Sequence, residues 1–259
     1  MYYQGGKSRI ASEIAQYISA YGGITNEIRR RQVENSPCDS ENHKFSGGGG
    51  TFISLFCGSC AVECKVEGFD KIICNDKHPY LIALYRALQN GYEPPDVVSE
   101  EEYRYARLHK DEDKARTGFI GFACSFGGKW FGGYARAKKS VRGYAHEGKV
   151  SLERQLPFLC EMEFVCGDYK DVPVPDGAVV YADPPYFGTT KYKYGIDHDE
   201  FWDYMRSLAK RGCKVFVSEQ NAPPDFKCVW EKQLKRTLDL NKNNLFTATE
   251  KLFTWEGEE

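Results

Sequence analysis

The sequence predicts an α/β protein built on a mostly parallel sheet with helices on both faces and an antiparallel edge strand. Three observations carry this. Short apolar runs at Thr51–Phe56, Lys71–Asn75 and Ala178–Tyr181 read as buried strands. Between and after them come helical patterns, above all Pro79–Asn90 and Asp197–Arg211. Strands ending in an acid or a glycine turn, then a helix, are the signature of βαβ units.

In order, Gly5-Gly6 opens a loop and Ser8–Tyr21 reads as a helix with Ile10, Ile14, Tyr17 and Ile18 on one face and Ser8 near its N-cap. Residues 24–50 are polar, carry Arg29-Arg30-Arg31 and end in Gly47–Gly50, which reads as a surface insertion. Thr51–Phe56 runs into the turn Cys57-Gly58-Ser59-Cys60, with a helical start expected at Val62-Glu63. A second strand ends at Asp76, and Pro79–Asn90 follows with Leu81, Leu84, Tyr85 and Leu88 on its stripe and Gly91 as its stop.

The character changes after Tyr92. Glu93–Gly148 is rich in charge, aromatics and glycine, and the insertion is drawn at residues 92–158. These read as a smaller, mostly helical insertion between two parts of one catalytic domain, residues 1–91 and 159–259. Ser99–Lys114 reads as one exposed, charge-laced helix. Lys129–Arg142 contains no acid and interleaves Lys129, Arg136, Lys138, Lys139 and Arg142 with Trp130, Phe131 and Tyr134. Basic residues among aromatics suit phosphate contact and base stacking. α/β character returns with Phe164–Cys166, then Asp168, then the strand Ala178–Tyr181. The helix Asp197–Arg211 is expected to bury Phe201, Tyr204, Met205 and Leu208, and Cys213–Ser218 and an alternating tail close the sheet.

Bulk properties narrow the function. Net charge is −2 over 259 residues, so a nucleic-acid contact has to come from a local patch. No apolar run spans a membrane and Met1–Lys7 is no signal peptide, so a cytoplasmic protein with no membrane partner is expected. Ten cysteines without a secretory signal read as reduced thiols. Cys57, Cys60 and Cys64 could suggest a metal cluster, but strand, glycine turn and helix already account for their spacing, and no metal is expected. The five histidines form no catalytic or metal pattern.

The richest chemistry lies at Asp183-Pro184-Pro185-Tyr186. Two prolines cannot continue a central strand. A buried strand therefore delivers a carboxylate, rigid prolyl peptides and an aromatic ring to the edge where open α/β sheets bind ligands. Asp183 and the Pro184 carbonyl are acceptors suited to an exocyclic amine, and Tyr186 could stack on a flat ring. A bare strand-end turn is the competing reading of these residues.

This tetrapeptide resembles the catalytic motif of S-adenosylmethionine-dependent amino-methyltransferases. Phe56-Cys57-Gly58-Ser59-Cys60 stands where these enzymes have Phe-x-Gly-x-Gly, and Tyr3-Gln4-Gly5-Gly6-Lys7 resembles the N-terminal box of Dam-type DNA adenine methyltransferases. The order of parts is also Dam-type. The resemblance implies a Rossmann-like fold and direct transfer of a methyl group to N6 of a flipped adenine in double-stranded DNA, with no obligate protein partner. It makes Tyr3, Lys7, Phe56, Gly58, Asp76, Asp168 and Asp183 cofactor contacts, with Asp76 on the ribose. Asp183, Pro184 and Tyr186 become the catalytic set. Lys129, Trp130, Arg136, Lys138, Lys139 and Arg142 become the DNA contacts, with Trp130, Phe131 or Tyr134 filling the gap left by the flipped base. Cytosine N4 or RNA adenine as acceptor, and a non-catalytic nucleic-acid-binding protein on the same fold, are the alternatives. Cys60, where the family has its second glycine, is the departure that weighs against tight cofactor binding.

Overall fold

A computed structural model describes residues 6–22, 50–136, 143–185, 196–237 and 245–257. Its centre is a seven-stranded sheet in the order β3-β2-β1-β4-β5-β7-β6. The strands are β1 (Thr51–Ser54), β2 (Lys71–Asp76), β3 (Met162–Cys166), β4 (Val179–Ala182), β5 (Lys214–Glu219), β6 (Phe226–Thr237) and β7 (Leu245–Trp255). β1 to β5 are mutually parallel, and β7 runs antiparallel to both β5 and β6. The fold is Rossmann-like, and the antiparallel edge is the β6–β7 ribbon.

Successive strand residues face opposite layers, and both layers are apolar. Phe52, Ile72 and Val179 join one buried cluster while Ile53, Ile73 and Val180 join the other. The first layer holds α1 (Ala11–Ser19), α2 (Pro79–Gln89), α3 (Glu100–Leu108), α4 (Lys114–Ala123) and α5 (Tyr144–Leu159). The second holds α6 (His198–Lys210). The helical pieces of 92–158 thus share one core with the first face of the sheet.

Local chemistry explains the element ends. Pro79 starts α2 and Gly91, at φ +82°, follows it, a backbone that costs glycine least. Asp197 caps α6 by accepting from the Asp199 and Glu200 amides.

Four expectations about the elements change, and one about the cysteines: Cys160 is disulfide-bonded rather than a reduced thiol. α1 begins at Ala11 with no side-chain cap, so Ser8 does not cap it, and Tyr17 is 39% exposed while Ala11 and Ala15 complete the buried face. Ser99–Lys114 is not one helix: α3 ends at Leu108 and α4 begins only at Lys114. Ser99 and Glu102 form a capping box that opens α3, and Asp113 accepts from the Arg116 amide to open α4. On α6 the fourth buried side chain is Trp202 rather than Tyr204. After Val62 the chain makes only one 3-10 turn, Glu63–Lys65.

Candidate active site

The strand order reverses direction between β1 and β4, and open α/β sheets bind ligands in the crevice at that switch point. The carboxyl ends of β1, β2, β3 and β4 deliver Gly58, Asp76, Asp168 and Asp183 to this one edge. Beyond β1 the chain stays pinned: the Leu55 amide donates to the Tyr181 carbonyl at 2.9 Å and the Cys57 amide to the Asn75 carbonyl at 2.8 Å. The Cys60 amide then donates to the Cys57 carbonyl at 2.8 Å, closing a tight turn. Gly58 sits in it at φ +46° and Cys60 at φ +53°. The position where the family has its second glycine therefore keeps the left-handed backbone, with a cysteine carrying the strain, of order 1–3 kcal/mol. Burial pushes the Cys57 and Cys74 thiols beside it well above the usual range, so both stay protonated and pack as small apolar groups.

Asp76 accepts from the Gly58 amide at 3.0 Å and the His78 amide at 2.8 Å. Desolvation outweighs these bonds and pushes its carboxyl up to about 6. His78 is pushed down to about 4 by desolvation and stays neutral, with its Nδ1 buried and unpartnered. Asp168 accepts from the Lys77 ammonium at 2.9 Å, and that contact with the Lys170 amide holds its carboxyl low against the pull of desolvation. Phe56 turns toward the second layer, 5.3 Å from the Tyr169 ring.

Asp183 follows the last residue of β4, with Pro184 buried behind it. Lys7, only 7% exposed, places its Nζ 3.0 Å from Asp183 Oδ1 and 3.2 Å from Glu250 Oε2. Burial alone would lower the lysine pKa, but the Asp183 and Glu250 carboxylates outweigh it and hold the ammonium above its ordinary value. Beneath them Tyr181 and Ser218 share a hydrogen bond of 2.9 Å, and Ser54 donates to Glu63 at 2.6 Å. Burial pushes the Glu63 carboxyl well above the carboxylate range.

The sequence reading of Lys7, Gly58, Asp76, Asp168 and Asp183 thus finds these residues along one edge. Tyr3, Tyr186, Lys138, Lys139 and Arg142 lie outside the described residues. The aromatic expectation for the insertion changes. Trp130 stacks on Tyr80 at 5.1 Å and meets His78 edge-on at 4.3 Å. Phe131 is buried and the Tyr134 hydroxyl donates to the Val98 carbonyl at 2.7 Å, so packing commits all three. Phe126 is the aromatic of that stretch that stands out, 66% exposed beside Gly127 and Gly128, both at positive φ. Lys129 is exposed, and Arg136 pairs with Glu100 at 2.6 Å.

Glu250 escaped the sequence reading. Its signal was parity: Glu250, Leu252 and Thr254 alternate along β7, and all three are buried. No group of three or more potential metal-ligating side chains occurs among the described residues. None of the described helices is long and apolar enough to cross a membrane.

Residues 39–142 match the family model of the D12 class of N6 adenine-specific DNA methyltransferases. The match agrees with the Dam-type resemblance and supports methyl transfer with S-adenosylmethionine as donor. It takes in the Gly58 turn, Asp76 and the Phe126–Arg136 stretch, and ends before Asp183. Among solved structures, a conserved hypothetical protein from Streptococcus pyogenes is 10% identical, with 81% of this chain and 88% of that one covered at a TM-score of 0.32. A candidate methyltransferase from Escherichia coli is 9% identical, with coverage of 92% and 90% and a TM-score of 0.30. A candidate RNA methyltransferase from Pyrococcus horikoshii is 10% identical, with coverage of 95% and 98% and a TM-score of 0.34. Likeness at this level carries neither substrate nor cofactor to this chain.

Proposed function

We propose that the protein is an S-adenosylmethionine-dependent DNA adenine N6-methyltransferase acting on duplex DNA. In this reading residues 1–91 and 159–259 form the catalytic unit and residues 92–158 the target-recognition insertion. The observation that carries the reading is the Asp183 carboxylate at the switch point, held by Lys7 on the same edge as the Gly58 turn and Asp76.

The residues present fit the donor. The Gly58 turn lets backbone approach closely, and Asp76 offers a carboxylate to a ribose. The buried, unpartnered Nδ1 of His78 leaves a polar atom beside it for a ligand. S-adenosylmethionine supplies an electrophilic sulfonium methyl group. Everything else is alignment and hydrogen bonding. An adenine amine is a poor nucleophile because its lone pair is conjugated into the ring. Asp183 and the Pro184 carbonyl, accepting from its two protons, localise that lone pair as the transition state forms. Tyr186 stacks on the base, which has to leave the duplex to reach this pocket. Phe126, exposed in the insertion, can occupy the vacated stack. Lys129, Arg136, Lys138, Lys139 and Arg142 hold phosphates, with Arg136 exchanging an exposed ion pair for a phosphate at small cost.

The test is incubation with labelled S-adenosylmethionine and, separately, duplex DNAs of varied sequence, single-stranded DNA and RNA, followed by nucleoside analysis. Labelled N6-methyladenine in duplex DNA is expected, and Asp183→Ala is expected to abolish it while largely sparing the fold. Label appearing only in RNA or only on cytosine N4 would overturn the acceptor. No label in any substrate despite cofactor binding would sink the enzyme reading.

A further inference from the structure

Lys7 and Asp183 belong to recognised motifs, whereas the third charged group of their cluster belongs to none. Glu250 lies on β7, and because β7 runs antiparallel to β5 its residues before Lys251 reach the edge where Asp183 follows β4. We propose that Glu250 is a positioning residue for Asp183, acting through the Lys7 ammonium; the role rests on the methyl-transfer reading above.

Three observations carry it. First, Glu250 is 2% exposed on the same strand face as Leu252 and Thr254, where packing alone would be served by an apolar side chain. A carboxylate persists in such a place only with a charged partner, and Lys7 at 3.2 Å is one. Second, a lysine ammonium carries three donors on a flexible four-carbon stem. Two carboxylates at 3.0 and 3.2 Å fix its direction, so that Nζ meets Asp183 at Oδ1 in one geometry. With Glu250 removed the stem has a single anionic anchor of this pair and the ammonium can swing across the Asp183 carboxylate. Third, the charges matter. Lys7 and Asp183 alone sum to zero, whereas Lys7, Asp183 and Glu250 sum to one negative charge. As the adenine lone pair localises and is spent, positive charge grows on N6. A net negative cluster under Asp183 stabilises that charge in a water-poor site, and a neutral one does so less.

A merely structural clasp between β7 and the N-terminal segment would act on folding, not on turnover per folded site. The experiment therefore compares wild type, Glu250→Gln and Glu250→Asp. Folded sites are counted by cofactor titration, and kcat and KM are measured on the DNA that wild type methylates. Expected for Glu250→Gln is a kcat at least about tenfold lower per folded site, with cofactor Kd and DNA KM within about threefold of wild type. Glu250→Asp keeps the charge and is expected to recover most of kcat. Should the buried amide destabilise the fold, Glu250→Met fills the same volume without a charge and is read in the same way. A neutral variant with wild-type kcat per folded site overturns the proposal, as does Glu250→Asp as slow as Glu250→Gln. Wild type that binds cofactor and methylates nothing is a different result: it overturns the methyltransferase reading and this role with it.

Discussion

In the proposed function, Asp76 ties pH to cofactor affinity. Its carboxyl is pushed up to about 6 by desolvation, against an unfolded value of about 3.9. With ribose hydroxyls donating to the carboxylate as proposed, affinity for S-adenosylmethionine is expected to rise with pH through about 6 and then level off. The stability linkage runs the other way: a folded pKa above the unfolded one means this group's contribution is full below about 4 and is lost as pH rises through about 6. Calorimetric titration between pH 5 and 8 checks the first statement, and Asp76→Asn is expected to flatten the curve and weaken binding at pH 8. A curve of unchanged shape in the variant would remove Asp76 from the cofactor site. Asp76 was legible in the sequence because an acid at the end of an apolar strand has few structural reasons to be there. Glu250 was not, because its partner lies 243 residues earlier in the chain and only the register of the closing strands brings the two together. Cys60 was legible as a departure, but its backbone angle was not. Sequence shows which residue stands in a turn, whereas φ follows from the amide it donates to Cys57.

Between elements, the insertion depends on a glycine contact. A Cβ on Gly118 of α4 would lie 2.1 Å from the Tyr80 carbonyl oxygen of α2, and backbone cannot move aside as a flexible side chain can. Gly118→Ala is therefore expected to lower unfolding free energy by about 1–3 kcal/mol in urea denaturation, despite alanine's better helix propensity. A gain in stability would show that α2 and α4 are not in this contact. The strands were legible because burial on both faces turns each into a short continuous apolar run, and α2 because its 3.6-residue apolar stripe is intact. The boundary between α3 and α4 was not: Asp113 sits in the charge run Lys110–Lys114, where one capping aspartate looks like any other solvated acid. The alanines of α1 were overlooked for a related reason, since a small residue on a buried face leaves little hydrophobic signal beside an exposed tyrosine.

Across the whole molecule, residues 92–158 are fastened to the layer on the central sheet by an aromatic stack and offer a different aromatic to the outside. Trp130 packs on His78 and Tyr80, two to four residues beyond Asp76, and a Cβ on Gly121 would lie 2.3 Å from its ring. Trp130→Ala is expected to cost about 3 kcal/mol of stability, in the range for removing a packed aromatic. Phe126→Ala is expected to leave stability within about 0.5 kcal/mol, as exposed positions do. It is expected to weaken duplex DNA binding about tenfold through the lost stacking. Thermal unfolding and fluorescence anisotropy on the same two proteins separate the roles, and the reverse pattern would exchange them. The basic, aromatic character of this stretch was readable from composition, but which ring is packed and which is presented depends on the fold around it.

The clasp of Lys7 by Asp183 and Glu250 also has a meaning in time. Residue 7 leaves the ribosome long before residue 250, and β7 must slot between β5 and β6 after both have been made. A nascent chain can carry the Gly58 turn, Asp76 and Asp183 and still lack the counter-charge that completes the site. Contacts this distant in sequence form late. This edge of the sheet is therefore finished only when synthesis has passed residue 250, so partial translation products hold the motifs without the assembled charge cluster.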